Sequence, residues 1–221
     1  MDQELWTAVD RYFNDAAVGA DAALDAAAAA AEAAQLPPVS VTPAYGKLLH
    51  LIARTQNAKR ILEIGTLAGY STIWLARAVP ADGRVITLEF NPKHADIARA
   101  NLARAGVADR VDIRVAPALD SLSQLAGGRE QPFDFIFIDA DRPNVAAYFD
   151  WAVKLARRGT VIVVDNVVRK GRVLDTSNSD PDIVGVRRFV EQLASDSRVS
   201  ATMMQMVSSK GHDGFALALV L

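Results

Sequence analysis

The chain has 221 residues, enough for one globular domain with a modest appendage and too few for a second large domain. It is 51% hydrophobic against 23% charged, and 24 Lys and Arg offset 26 Asp and Glu, so disorder and general polyanion binding are both disfavoured and no nucleic-acid partner is expected. There is no cysteine, which excludes disulfides, thiolate nucleophiles and Cys-ligated zinc or iron–sulfur clusters; any metal must use oxygen or His ligands.

The opening Met-Asp-Gln-Glu-Leu-Trp has no basic start and no apolar core after it, and no stretch approaches the ~18 apolar residues of a membrane span. A cytoplasmic protein without membrane contact is expected. From Asp2 to Leu36 the sequence is rich in alanine and predicts two helices broken near Gly19, a helical appendage over 1–38 for packing or dimerisation. Pro37-Pro38 ends the second helix, Val39 to Thr42 is extended, and another helix starts near Pro43, opening the main domain over 39–221.

Short apolar or β-branched runs then alternate with helical stretches: Arg60–Ile64, Arg84–Glu89, Val111–Val115, Phe133–Asp139 and Gly159–Asp165. Asn91-Pro92 and Asp180-Pro181 each pair an N-cap with proline at the first helical position, and Gly106 sits where a C-cap belongs. Near-continuous apolar strands between amphipathic helices predict a doubly wound, mostly parallel α/β sheet covered on both faces. Val199–Val207 and Phe215–Leu221, joined by the polar Ser208–Gly214, predict a C-terminal antiparallel hairpin that brings the sheet to seven strands.

Open parallel sheets bind ligands outside the carboxyl ends of their strands. There the sequence supplies Glu63, Gly65 and Gly69 around the first strand, Glu89 ending the second, Asp139 and Asp141 after the fourth, and Asp165-Asn166 after the fifth. Acids crowded on one rim repel one another unless a cation or a hydroxyl-rich ligand joins them. The turn from Glu63 to Ser71 lets the backbone pass tightly under a ligand. Its Gly-x-x-x-Gly spacing is not the Gly-x-Gly-x-x-Gly that seats a pyrophosphate, and Glu63 would repel one, so a cationic or zwitterionic nucleoside fits better. Glu89 sits where a carboxylate accepts hydrogen bonds from both ribose hydroxyls.

Glu-x-Gly-x-x-x-Gly-x-Ser, Glu89, Asp139-Ala140-Asp141 and Asp165-Asn166 together resemble the class I S-adenosylmethionine-dependent methyltransferases. More narrowly, from about Val39 to Leu221 the chain is similar to the catechol and caffeoyl-coenzyme A O-methyltransferase family. The resemblance implies a Rossmann-like sheet ending in an antiparallel hairpin, and a homodimer whose interface is sought in the N-terminal helices. It places Glu63, Gly65, Thr66 and Ser71 around the methionine part of the cofactor, Glu89 on the ribose and Ala118 by the adenine. Val41, Thr42, Gly69 and Asp139 complete the cofactor's surroundings. It also makes Asp139, Asp165 and Asn166 ligands of a divalent cation, and hard oxygen donors of this kind suit magnesium, leaving positions for water and two adjacent substrate hydroxyls. The implied reaction is O-methylation of a small catechol-like or phenylpropanoid substrate, whose metal-bound hydroxyl ionises near neutral pH and attacks the sulfonium methyl group in line.

The chain departs from the family pattern in three places. Arg142 stands where a lysine, proposed to accept the substrate proton, usually follows the Asp-x-Asp element. Arginine stays protonated and cannot act as a base, so Arg142 is expected to stabilise the phenolate while water or Asp141 takes the proton and the metal remains the main activator. Ala116 replaces a frequent glycine before Pro117-Ala118, and Tyr45 stands where an acid is common. His50 and His94 on helices and His212 in the terminal loop lack metal-ligand spacing and are read as surface residues. Trp151 and Tyr148 are read as core or interface. Arg169-Lys170-Gly171-Arg172 opens a solvated, mobile loop to Asp180, expected to form part of a lid over the substrate.

Three rival readings remain. A nicotinamide-dependent dehydrogenase lacks its Gly-x-Gly-x-x-Gly and Tyr-x-x-x-Lys elements. A methyltransferase for nucleic acid or protein lacks the Asn/Asp-Pro-Pro-aromatic element, and the net charge is wrong for polyanions. A noncatalytic cofactor binder has only Arg142 in its favour.

Overall fold

The computed structural model describes residues 2–128 and 130–221. Asp2 and Asp21 cap helices α1 (Gln3–Phe13) and α2 (Ala22–Ala33), accepting N–H bonds from Leu5 and from Ala23 and Leu24. Between them α1 widens into a π turn over Asn14–Val18 and breaks at Gly19, whose φ of +78° ends it where the sequence predicts. Thr42 caps α3 (Pro43–Thr55), with Pro43 at its first position.

The remaining elements alternate: β1 (Arg60–Ile64), α4 (Tyr70–Ala78), β2 (Arg84–Glu89), α5 (Pro92–Arg104), β3 (Val111–Val115), α6 (Ala118–Gly127), β4 (Phe133–Ile138), α7 (Val145–Leu155), β5 (Ala156–Asp165), α8 (Pro181–Ser195), β6 (Val199–Ser208) and β7 (Gly211–Val220). They form one sheet of order β3-β2-β1-β4-β5-β7-β6, in which β7 runs antiparallel to both its neighbours and the other pairings are parallel.

Successive strand residues point to opposite faces, and both faces are buried. Leu62, Ile64, Ile136 and Ile162 pack with Phe149 of α7 and Phe189 of α8. Ile61, Phe135, Phe137 and Val163 pack on the other side with Leu49 of α3 and Trp74 of α4, in a cluster that also takes in Leu24 and Ala27 of α2. Fully burying one such side chain is worth roughly 1.5–3 kcal/mol. Among the described residues no helix is long and apolar enough to cross a membrane.

Three boundaries differ from the sequence prediction. β4 stops at Ile138: Asp139 still donates its N–H to Ile64 (2.8 Å), but the chain then turns away over Gly65. β5 starts earlier, at Ala156, because the polar Arg157-Arg158-Gly159 forms an irregular stretch of strand, with Gly159 at φ +88° and the Thr160 hydroxyl donating to the Phe133 carbonyl. The hairpin is tighter than predicted. Residues 211–214 pair with 205–208, leaving only Ser209-Lys210 as the turn, so the polar run is half-buried strand and not a loop. His212 consequently lies on β7.

Candidate active site

The chain leaves β1 for β2 on one side and later returns to β4 on the other, so the sheet's switch point falls at the carboxyl ends of β1 and β4. A cavity of about 770 Å³ opens there, within the range of small-molecule sites. Gly65 makes the approach possible. Its φ is +101°, and a Cβ on it would fall on the Asp139 carbonyl oxygen.

Of the residues expected around a cofactor, Val41, Gly65, Thr66, Ser71, Glu89, Ala118 and Asp139 line this cavity. Glu63 stands behind its wall, fully buried. Its carboxylate accepts hydrogen bonds from the hydroxyls of Ser71 (2.6 Å), Thr72 (2.5 Å) and Thr87 (2.7 Å). Burial pushes Glu63 up to about 7, against the pull of those hydroxyls. Thr42 is buried as the cap of α3, and Gly69, at φ +80°, caps α4 and packs on Ala98. Glu89 ties the loop together: it accepts from the N–H groups of Thr66 (3.3 Å), Leu67 (2.8 Å) and Asn91 (2.8 Å). His94, read from sequence as a surface residue, lies 3.4 Å from Glu89 in this cluster, and His50 is tied to the Trp74 carbonyl at 3.1 Å.

At the other end the structure brings Asp139, Asp165 and Asn166 together around Arg142. One guanidinium nitrogen, Nη2, donates to Asp139 Oδ1 at 2.8 Å and also to Asn166 Oδ1, while Nη1 donates to the Ala140 carbonyl. Asp165 is buried beneath, its Oδ1 accepting the Asn166 N–H (2.8 Å), and burial next to Asp139 holds its carboxyl well above the usual carboxylate range. The buried Tyr45 hydroxyl faces this acid pair; burial and the neighbouring Asp165 and Asp139 carboxylates push it well above the ordinary phenol value. Asp213 on β7 fixes the loop after Asn166, accepting from the N–H groups of Val168 and Arg169 (both 3.0 Å).

Asp141 lies on the cavity wall, with Oδ2 accepting from Asn144 (2.6 Å) and Oδ1 from the Tyr148 hydroxyl. Tyr148 thus belongs to the core by its ring and to the site by its hydroxyl, a double role that helix periodicity could not reveal. Sequence reasoning also missed Phe90 and Leu119 on the wall, which Arg169, expected in a loop over the substrate, lines as well. Phe90, directly after the strand-terminal Glu89, was the one with a readable signal; it is an aromatic left 75% exposed. The segment after Arg169 is held more firmly than a mobile loop. Arg169 pairs with Asp182 and Arg172 with Asp180 (both 2.9 Å), while Arg187 donates to the Asp175 and Asn178 carbonyls.

Among the described residues no group of three or more His, Cys, Asp or Glu side chains gathers as a metal site; the set here is two carboxylates and an amide. Those donors nevertheless fit a hard divalent cation, because oxygens of Asp139 and Asn166 already converge on one positively charged nitrogen beside a second, buried carboxylate.

The family model described as O-methyltransferase matches residues 17–220. The chain belongs to that family. A catechol O-methyltransferase of Mycobacterium tuberculosis is 55% identical over 96% of this chain and 94% of its own, and one of Niastella koreensis is 50% identical over the whole of both. Among solved structures, an O-methyltransferase from Bacillus cereus in complex with S-adenosylhomocysteine superposes with a TM-score of 0.97 at 54% identity, covering 99% of this chain and all of that one. TomG from Streptomyces achromogenes, solved with S-adenosylmethionine, gives 0.97 at 51% identity over 100% and 99% of the two chains. The protein is therefore an S-adenosylmethionine-dependent O-methyltransferase of class I, and the dehydrogenase reading falls.

Proposed function

We propose that this methyltransferase transfers a methyl group to one hydroxyl of a small ortho-dihydroxy aromatic of catechol or phenylpropanoid type, with a divalent cation such as magnesium held by Asp139, Asp165 and Asn166. The observation that carries the reading is a single cavity with a ribose-type carboxylate, Glu89, at one end and the Asp139/Asn166 oxygens at the other. The relatives named catechol O-methyltransferase support the substrate class.

In this reading Gly65, Thr66 and Ser71 bound the methionine end of the donor, with Glu63 and Thr42 fixing those groups from behind. Glu89 accepts from the ribose on the acceptor site its three N–H partners leave, since a carboxylate offers about four. Ala118 and the exposed Phe90 ring flank the adenine. A bound divalent cation supplies charge that lowers the pKa of a substrate hydroxyl. Arg142 holds its proton, because the Asp139 and Asp165 charges outweigh the burial that acts against it, so it stabilises negative charge and cannot accept the substrate proton. Asp141, held in place by Tyr148 and Asn144, receives that proton directly or through water.

The test is turnover of labelled S-adenosylmethionine with a panel of catechols and monophenols. Chelator treatment is expected to lower catechol methylation at least tenfold, with recovery on adding magnesium, and monophenols are expected to react poorly. Full-rate methylation in chelator would overturn the metal-dependent reading.

A further inference from the structure

We propose that Arg142 is an internal counter-cation for the metal centre: in the metal-free protein its guanidinium stands in for the divalent ion between Asp139 and Asn166, so that metal entry and Arg142 departure are a single exchange. The inference rests on the metal reading given above and extends it to a residue for which no such role is otherwise assigned.

Two carboxylates at the tips of adjacent strands, one of them buried, destabilise the fold unless positive charge joins them. The positively charged group bonded to this set is Arg142, whose side chain is only 11% exposed. Lys210 points at the same acids from the hairpin turn, but its ammonium is spent on the Pro38 and Ser40 carbonyls. The planar fork matters. One nitrogen reaches two acceptors while the other takes the Ala140 carbonyl, which a single ammonium on a shorter stem could not reproduce.

A hard cation meeting both Asp139 Oδ1 and Asn166 Oδ1 would sit where the guanidinium Nη2 now sits, and two positive charges repel at that distance, so the cation displaces the guanidinium; the structure gives Arg142 somewhere to go. Its Nε is buried without an acceptor, so the docked state leaves one donor unsatisfied. The side chain lines the main cavity, which has ample room for it. Its backbone, in contrast, is pinned: a Cβ on Gly185 of α8 would strike the Arg142 carbonyl, so the exchange is a side-chain swing and not a loop movement.

The experiment titrates Mn2+ into wild type, Arg142→Ala, Arg142→Lys and Asp139→Asn, reading free Mn2+ by electron paramagnetic resonance, and follows thermal unfolding with and without metal. Arg142→Ala is expected to bind Mn2+ at least tenfold more tightly than wild type, to melt lower when metal-free, and to gain more from saturating metal. Arg142→Lys, which keeps the charge but loses the fork, is expected to bind at least threefold more tightly than wild type and carries the test if the alanine variant does not fold. Equal affinity in wild type and both Arg142 variants, with binding lost in Asp139→Asn, overturns this proposal and leaves the metal reading standing. Absence of Mn2+ binding in every protein, or binding undiminished in Asp139→Asn, overturns both.

Discussion

Glu63 carries an acid into a fully buried position and survives there because three hydroxyls, from Ser71, Thr72 and Thr87, converge on it. Those bonds do not fully offset burial, and the group is pushed from 4.5 up to about 7. Between these two values the folded protein holds a proton that the unfolded chain releases. A raised acid pKa therefore makes stability fall as pH rises through that window, by up to about 3 kcal/mol. Glu63→Gln removes the titration while keeping an acceptor for the hydroxyls. The melting temperature of the variant is expected to change less between pH 5 and 7.5 than that of wild type; parallel profiles would show that Glu63 is ionised in the fold throughout. None of this was legible in sequence, where Glu63 reads as a ligand contact. Which side of a strand-end residue meets the cavity is set by the strand's register in the sheet, and a residue's buried hydroxyl neighbours come from other elements. Arg142 teaches the same lesson, since its identity excludes a base but only the fold shows it seated between two prospective metal ligands.

At the scale of elements, legibility followed burial. β1 and β2 lie where their apolar runs predict, because a parallel strand buried on both faces writes a continuous hydrophobic signal, and the edge strand β3, half-exposed, is marked instead by alternating β-branched and charged residues. The opposite edge writes neither: β6 is exposed over most of its length, and its pairing with polar residues 211–214 is fixed by the tight turn, not by hydrophobic pattern. The segment after Arg169 sits between these cases. Its composition reads as a loop, yet ion pairs and the Arg187 bonds anchor it to α8 beside the cavity. A segment held in place beside the cavity is expected to bear on the substrate more than on the donor. Replacing residues 172–179 with a short glycine linker, leaving Arg169 and Asp182 intact, is expected to raise the catechol KM roughly tenfold while the Kd for S-adenosylhomocysteine changes less than about twofold. Loss of donor binding with an unchanged KM would remove the segment from the substrate side.

For the whole molecule, the informative surface is the one the chain leaves open. Helix α1 buries none of its residues, yet Leu5, Val9, Tyr12 and Phe13 form an exposed apolar stripe at helical spacing along it. Gln3 ties the helix to the Ser208 and Ser209 carbonyls, and Asp10 accepts the Ser209 N–H, so the stripe is fixed against the edge strand β6, where Met203, Met204 and Val207 are also exposed. A short helix with no fully buried residue gains little stability alone in water, and an unprotected strand edge invites pairing. A second copy related by a two-fold axis offers the same stripe and the same edge in return, which makes one patch self-complementary. The chain is accordingly expected to elute as a homodimer of twice its 23.7 kDa mass in light-scattering chromatography. Leu5→Asp combined with Tyr12→Asp places charge in the centre of the stripe and is expected to yield monomer with a lower melting temperature. A wild type that stays monomeric at tens of micromolar, or a double variant that stays dimeric, would mean that α1 and β6 face solvent in the working enzyme.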